Sequence, residues 1–309
     1  MAAEPGSSVR RSRRGPLRPV CSSQGLTLTV LAVAGALAAP TLALAANAAD
    51  QLYERTLMTS ADARCRLFAP SVGAALDSAR AQARGATLRS GASQAQVEAL
   101  EQRARAKASG AACDSVDLTT AAGRVRKAFE AYAVMQRMTY PGDVAAWQAE
   151  RTSSSTIPLW RLSQPAAFGG DRLVFGLAGR GGAVMAVATF ATGERPYGAR
   201  LVIRDPARTQ GPYIDPRGGR SLAAKVSPRS ASLVFAAEAR DEAPLTLLPT
   251  GAKSGLAFRF PAATAEAISR LDPREAVTIE FSFSGRDGDV VRKAYVEVGD
   301  FAAGRAFLR

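Results

Sequence analysis

Histidine is absent from all 309 residues. Its absence removes the commonest general base, the Ser-His-Asp and Cys-His arrangements and most zinc sites. Lysine is scarce, with only Lys107, Lys127, Lys225, Lys253 and Lys293, so nearly all of the positive charge is arginine. Cysteine occurs three times, at Cys21, Cys65 and Cys113, and no C-x-x-C pair is present. A redox-active dithiol of that kind is therefore excluded. Beyond Ala45 no stretch is apolar enough to span a membrane.

The one long apolar run, Leu26 to Ala45 (LTLTVLAVAGALAAPTLALA), follows a leader holding Arg10, Arg11, Arg13, Arg14 and Arg18 against the single acid Glu4. A basic leader, an apolar stretch and small residues spaced A-x-A are the three parts of a secretory signal. Pro40 disfavours helix just before the cleavage region. The sites Ala43-Leu44-Ala45 and Ala46-Asn47-Ala48 end the signal at Ala45 or Ala48. An uncleaved anchor is the rival reading, because roughly 20 apolar residues suffice to span. Ser12-Arg13-Arg14-Gly15-Pro16-Leu17-Arg18 looks like a twin-arginine export pattern with Pro16 in place of the usual aromatic. That route would carry a folded, cofactor-bearing protein, while an ordinary arginine-rich leader implies none. The expected localisation is periplasmic or secreted, and no cofactor is expected.

The formal net charge is +13. Losing the five leader arginines and Glu4 leaves 35 basic against 26 acidic side chains. Arginine in place of lysine, with abundant alanine, matches a GC-rich coding sequence. A basic exported chain is also drawn to an anionic envelope component, such as lipid headgroups or acidic polysaccharide. Another envelope protein is the second class of partner, and nucleic acid is not expected. With Cys21 in the leader, Cys65 and Cys113 form an even pair for an oxidising compartment. A disulfide between them closes a loop of about fifty residues, stabilising by roughly 4 kcal/mol if unstrained.

From Asp50 to about Met138 the periodicity is helical. Leu57, Ala61, Cys65 and Phe68 mark one helix face, and Pro70-Ser71 punctuates it. Val72, Leu76, Ala79 and Ala83 mark a second helix, ended by Gly91. Ser93 stands three before Gln96, a capping-box spacing, and leads a third helix closed by Gly110. Leu118, Ala122, Val125, Phe129 and Tyr132 mark a fourth, stopped by Tyr140-Pro141-Gly142.

The polar run 151–156 reads as linker, and short β runs follow between glycines and prolines. They are Leu159 to Leu162, Leu173 to Leu177, Val184 to Phe190, Ala199 to Arg204, Leu233 to Ala237, Leu245 to Leu248 and Leu256 to Phe260. A helix, Ala262 to Leu271, interrupts them. Val277, Ile279, Phe281 and Phe283 alternate with polar residues, and Arg286-Asp287-Gly288-Asp289 turns into Val290 to Val298. The expected fold class is α+β: an Ala-rich helical bundle with one disulfide, then an antiparallel β-sandwich or curved sheet with one short helix. The expected organisation is signal 1–48, helical domain 49–142, linker 143–156 and β-rich domain 157–309.

From Leu245 onward the order is two strands, a helix, a strand, a hairpin strand and a final Phe301-Ala302-Ala303 segment. These last 65 residues resemble the C-terminal half of the invasion-associated locus B family of exported alphaproteobacterial proteins. The cysteines which that family carries in its β part are missing. The resemblance implies an exported protein and assigns no catalytic residue.

Motifs for chemistry are sparse. In Leu248-Pro249-Thr250-Gly251-Ala252-Lys253-Ser254-Gly255, Ala252 replaces the glycine that a phosphate loop needs before its lysine. Gly176 to Gly182 lies between two strand-like runs and reads as a hairpin loop rather than a dinucleotide turn. Ser221 and Lys225 are one residue too far apart for the S-x-x-K pattern. Asp287 and Asp289 suit a turn as well as a cation, and Glu238, Asp241, Glu242 and Glu280 show no glycosidase spacing. Arg200, Arg204, Arg208, Arg217 and Arg220 flank Pro206, Tyr213 and Pro216, where arginine beside an aromatic could grip an anion. No catalytic and no metal-ligating residue is assigned. The expectation is a non-catalytic exported envelope protein that binds or scaffolds. The alternative is a histidine-free carboxylate hydrolase acting on envelope polysaccharide.

Overall fold

A computed structural model describes residues 39–214, 219 and 221–309. The leader arginines, Cys21, Pro216, Arg217 and Arg220 lie outside the described residues. Four helices come first: α1 (Ala39–Cys65), α2 (Pro70–Arg89), α3 (Gln94–Gly110) and α4 (Val116–Val134). Ala45 and Ala48 both fall within α1, and so does Pro40, as its second residue. A ring in the first turn of a helix is tolerated. Pro70 opens α2 for the same reason, since its missing N–H would have had no partner there. The Ser93 hydroxyl accepts from Gln96 N while the Gln96 side chain accepts from Ser93 N, completing the capping box of α3.

The faces these helices bury are largely alanine, including Ala61, Ala75, Ala79, Ala83, Ala104 and Ala108. Each methyl removes little apolar surface from water, so covalent help matters here. Cys65 and Cys113 are joined, fastening the last residue of α1 to the loop before α4 across 48 positions.

The helical pattern runs to about Met138, yet α4 ends at Val134 and two short strands follow. β1 (Arg137–Tyr140) and β2 (Trp147–Glu150) pair antiparallel. The stretch 143–156, expected as linker, therefore contains a strand and the fully buried Trp147. Its indole donates to Val298 O at 2.9 Å. Strands of four residues are too short to display a period of their own beside a long helical pattern.

Seven strands form one antiparallel sheet in the order β1-β2-β3-β4-β5-β9-β8, with β3 (Trp160–Phe168), β4 (Asp171–Ala178), β5 (Ala183–Thr189), β8 (Ala239–Glu242) and β9 (Leu256–Arg259). Four form a second, β11-β10-β6-β7, from β6 (Gly198–Arg204), β7 (Ser232–Ala236), β10 (Ala276–Gly285) and β11 (Gly288–Glu297). The expected β10–β11 hairpin is present, with Arg286-Asp287 as its tip between paired Gly285 and Gly288. Leu245–Leu247, expected as strand, is a 3-10 turn instead. Pro244 and Pro249 flank it and can donate nothing to a ladder. β8 replaces it as the edge strand, and its charged sequence hid it from an apolar pattern.

Both sheets share one core, in which Phe175 and Phe258 of the first meet Ile279 and Phe281 of the second. Two short helices close its ends: α5 (Ala263–Ser269) and α6 (Phe301–Phe307). Phe301 and Phe307 are fully buried. Gly304 lets α6 lie on β3, since a Cβ there would stand 2.5 Å from Leu162 Cδ1.

The helices dock onto this core through α6. The Ser78 hydroxyl donates to Ala303 O at 2.9 Å and lies 2.9 Å from the Tyr132 hydroxyl and 2.7 Å from that of Tyr140. Arg89 forks onto Asp300 at 2.6 and 2.9 Å. From Pro40 onward the chain is one compact unit. Among the described residues no helix is long and apolar enough to cross a membrane.

Candidate functional site

The loop after β6, where arginines were expected to converge on an anion, is organised around a buried acid. Arg204 ends β6, is 7% exposed and donates from Nε to Glu275 Oε1 at 2.6 Å and from Nη1 to Thr209 at 2.9 Å. The backbone N–H of Tyr213 reaches the same Glu275 oxygen at 3.1 Å. Arg208 faces Asp205 at 3.2 Å. Arg200 lies exposed on β6, opposite Glu280 in register. Arg204 and Arg208 thus have carboxylate partners of their own, and the group folds the loop back on the sheet.

A different set of arginines, scattered along the sequence, meets in a cleft of about 520 Å³ at the β4–β5 end of the larger sheet. Arg161, Arg180, Arg259, Arg305 and Arg309 line it, with Glu238 the one acidic side chain in its wall. Four parts of the chain place them. Arg161 projects from β3, donating to Glu150 O at 2.9 Å and to Leu308 O at 3.4 Å. Arg180 stands on the four-residue loop of the β4–β5 hairpin. That loop closes through Gly182 N to Gly179 O at 3.1 Å, and both glycines hold positive φ, 69° and 62°. Arg259 ends β9, opposite Met185 and Ala239. Arg305 comes from α6 and donates to Glu266 Oε2 at 2.6 Å. That guanidinium, with Arg270 adding to it, holds the Glu266 carboxyl below its ordinary range. Arg309 follows the end of α6.

The floor between these charges is apolar, built from Leu177, Val184, Phe260 and Leu308. Arg161 and Arg305 have partners within the fold. The side chains of Arg180, Arg259 and Arg309 make no hydrogen bond and no ion pair with any described residue. Like charges repel by about 1 kcal/mol per pair at 4 Å even in bulk water. Cations gathered on low-dielectric walls therefore create a field that concentrates anions. The planar guanidinium adds paired N–H donors matched to carboxylate, sulfate and phosphate oxygens.

Of the run Gly176 to Gly182, expected as a hairpin loop, Gly179 to Gly182 form it and Gly176 to Ala178 belong to β4. Glu280 meets Arg229 at 3.1 Å and Lys293 at 3.6 Å, and Glu242 pairs with Arg195. Glu238 lies in the arginine cleft, whereas Glu242 lines a separate hollow. Asp289 accepts from the Tyr197 hydroxyl. Lys225 faces Asp143 at 3.9 Å. Among the described residues no cluster of three or more acids or cysteines has metal-ligand geometry. Comparison with protein families, with characterised proteins and with solved structures found no match to this chain.

Proposed function

We propose that the chain is an exported, non-catalytic envelope protein that holds an anionic envelope component in the arginine cleft. Three unpartnered guanidiniums around an apolar floor carry this reading. The basic leader with its A-x-A sites supports export, as does the disulfide, since such bonds persist in oxidising compartments. The resemblance of the last 65 residues to an exported family points the same way.

The ligand on this reading is a carboxylated or sulfated polymer whose anionic groups fork onto Arg180 and Arg259 while a sugar face rests on Phe260 and Val184. The test uses purified mature protein and a fluorescent oligogalacturonate. Arg180→Glu with Arg259→Glu should weaken binding at least tenfold, because charged hydrogen bonds contribute about 1.5–3 kcal/mol each. Both side chains are exposed, so the variant should keep its melting temperature. Undiminished binding by a folded double variant would refute the proposal.

A further inference from the structure

A second concave surface lies on the helical side, between α1 and α4, with a volume of about 700 Å³. Leu57 and Met58 of α1, Leu76 of α2 and Val125 and Phe129 of α4 form an apolar trough. Ligand sites commonly fall between roughly 300 and 1,000 Å³. Ala121 and Ala128, short side chains on α4, also line the trough.

Its polar groups are not those of a simple packing gap. Arg55 reaches across from α1 and donates to Ala79 O at 2.8 Å, a carbonyl inside α2. It is half-buried, and no carboxylate among the described residues pairs with it. Burial lowers its affinity for the proton, although Tyr132 and Glu54 pull the other way. Withdrawing a charge from water without a counter-ion is costly, and an anion in the trough would offset that cost. Arg124 stands on the opposite wall, exposed and likewise without a partner. Glu54 and Gln51 complete the rim.

We infer that this groove binds a medium-chain fatty acid, its tail along Leu57, Leu76, Val125 and Phe129 and its carboxylate on Arg55, with Arg124 attracting it from the opposite wall. The apolar length selects a tail, and the unpaired guanidinium selects the sign of the head. A cationic or neutral amphiphile would leave Arg55 as it stands.

The experiment is calorimetric titration of the mature, oxidised protein with sodium dodecanoate below its micellar concentration. Saturable one-to-one binding is expected. Arg55→Gln should weaken it about tenfold or more, the loss of one charged hydrogen bond. Glu54→Gln should tighten it by removing the only like charge at the rim. Dodecyltrimethylammonium, with the same tail and the opposite head, should bind at least tenfold more weakly than dodecanoate. Should Arg55→Gln fail to fold, Arg124→Glu on the exposed wall should weaken binding in its place. The cleft variant Arg180→Glu/Arg259→Glu should bind dodecanoate as the natural chain does. Equal uptake of both head groups, no loss in a folded Arg55→Gln, loss in the cleft variant, or absence of saturable binding would each overturn the inference.

Discussion

Arg204 and Glu275 are both nearly sealed from solvent, at 7% and 2% exposure. Removing one member of such a pair leaves a buried charge uncompensated. Arg204→Ala should therefore destabilise by about 3–5 kcal/mol in urea unfolding, whereas Arg204→Met with Glu275→Gln should recover part of that loss, because the neutral amide oxygen still accepts from the Tyr213 backbone N–H. Tyr140 has its own signature. Burial pushes its phenol far above the ordinary tyrosine range, the Ser78 contact opposing this and the Tyr132 hydroxyl adding to it. The folded state therefore holds this proton more tightly than the unfolded one. The resulting stability is complete below about pH 10 and is lost as pH rises beyond it. Tyr140→Phe should flatten the decline in urea midpoint between about pH 9 and about pH 11. At this scale the sequence did not reveal which carboxylates the arginines meet. The cluster from Arg200 to Tyr213 looked like a ligand grip, but nothing in the chain order announces that Glu275, 71 positions from Arg204, closes on it.

Among the elements, the Ser93–Gln96 box and the Arg286-Asp287 hairpin tip were legible because they follow from neighbours in sequence, whereas Pro70, expected as punctuation after the first helix, opens the second. The end of α4 and the identity of β1, β2 and β8 were not legible. Those strands depend on partners far along the chain, and β8 is too charged to betray a buried face. The α2–α6 contact gives a test in which local and tertiary effects have opposite signs. Replacing a mid-helix glycine by alanine ordinarily stabilises by about 1 kcal/mol. At Gly85 the new Cβ would stand 2.2 Å from Asp300 Oδ1, a carboxylate held in place by both Arg89 nitrogens. Gly85→Ala should therefore destabilise by about 1–3 kcal/mol, seen as a lowered melting temperature with helix content retained.

For the molecule as a whole, the disulfide is the largest single constraint outside the core. Its 48-residue loop predicts that Cys113→Ser, or reductant, lowers stability by about 4 kcal/mol in urea unfolding. The fold class and this bond were readable from periodicity and from an even cysteine pair. The cleft was not, because Arg161, Arg180, Arg259, Arg305 and Arg309 become neighbours only when β3, a hairpin loop, β9 and the C-terminal turn meet. The hydroxyl knot of Ser78, Tyr132 and Tyr140, anchored on Ala303, has a practical corollary for dissection. A gene cut near residue 142 leaves three of those partners on one fragment and the fourth on the other. Each piece then presents a bare seam, Tyr132 and Ala81 on the first and Phe307 on the second, so neither half is a sound reagent for mapping ligands. Mapping has to be done on the undivided protein.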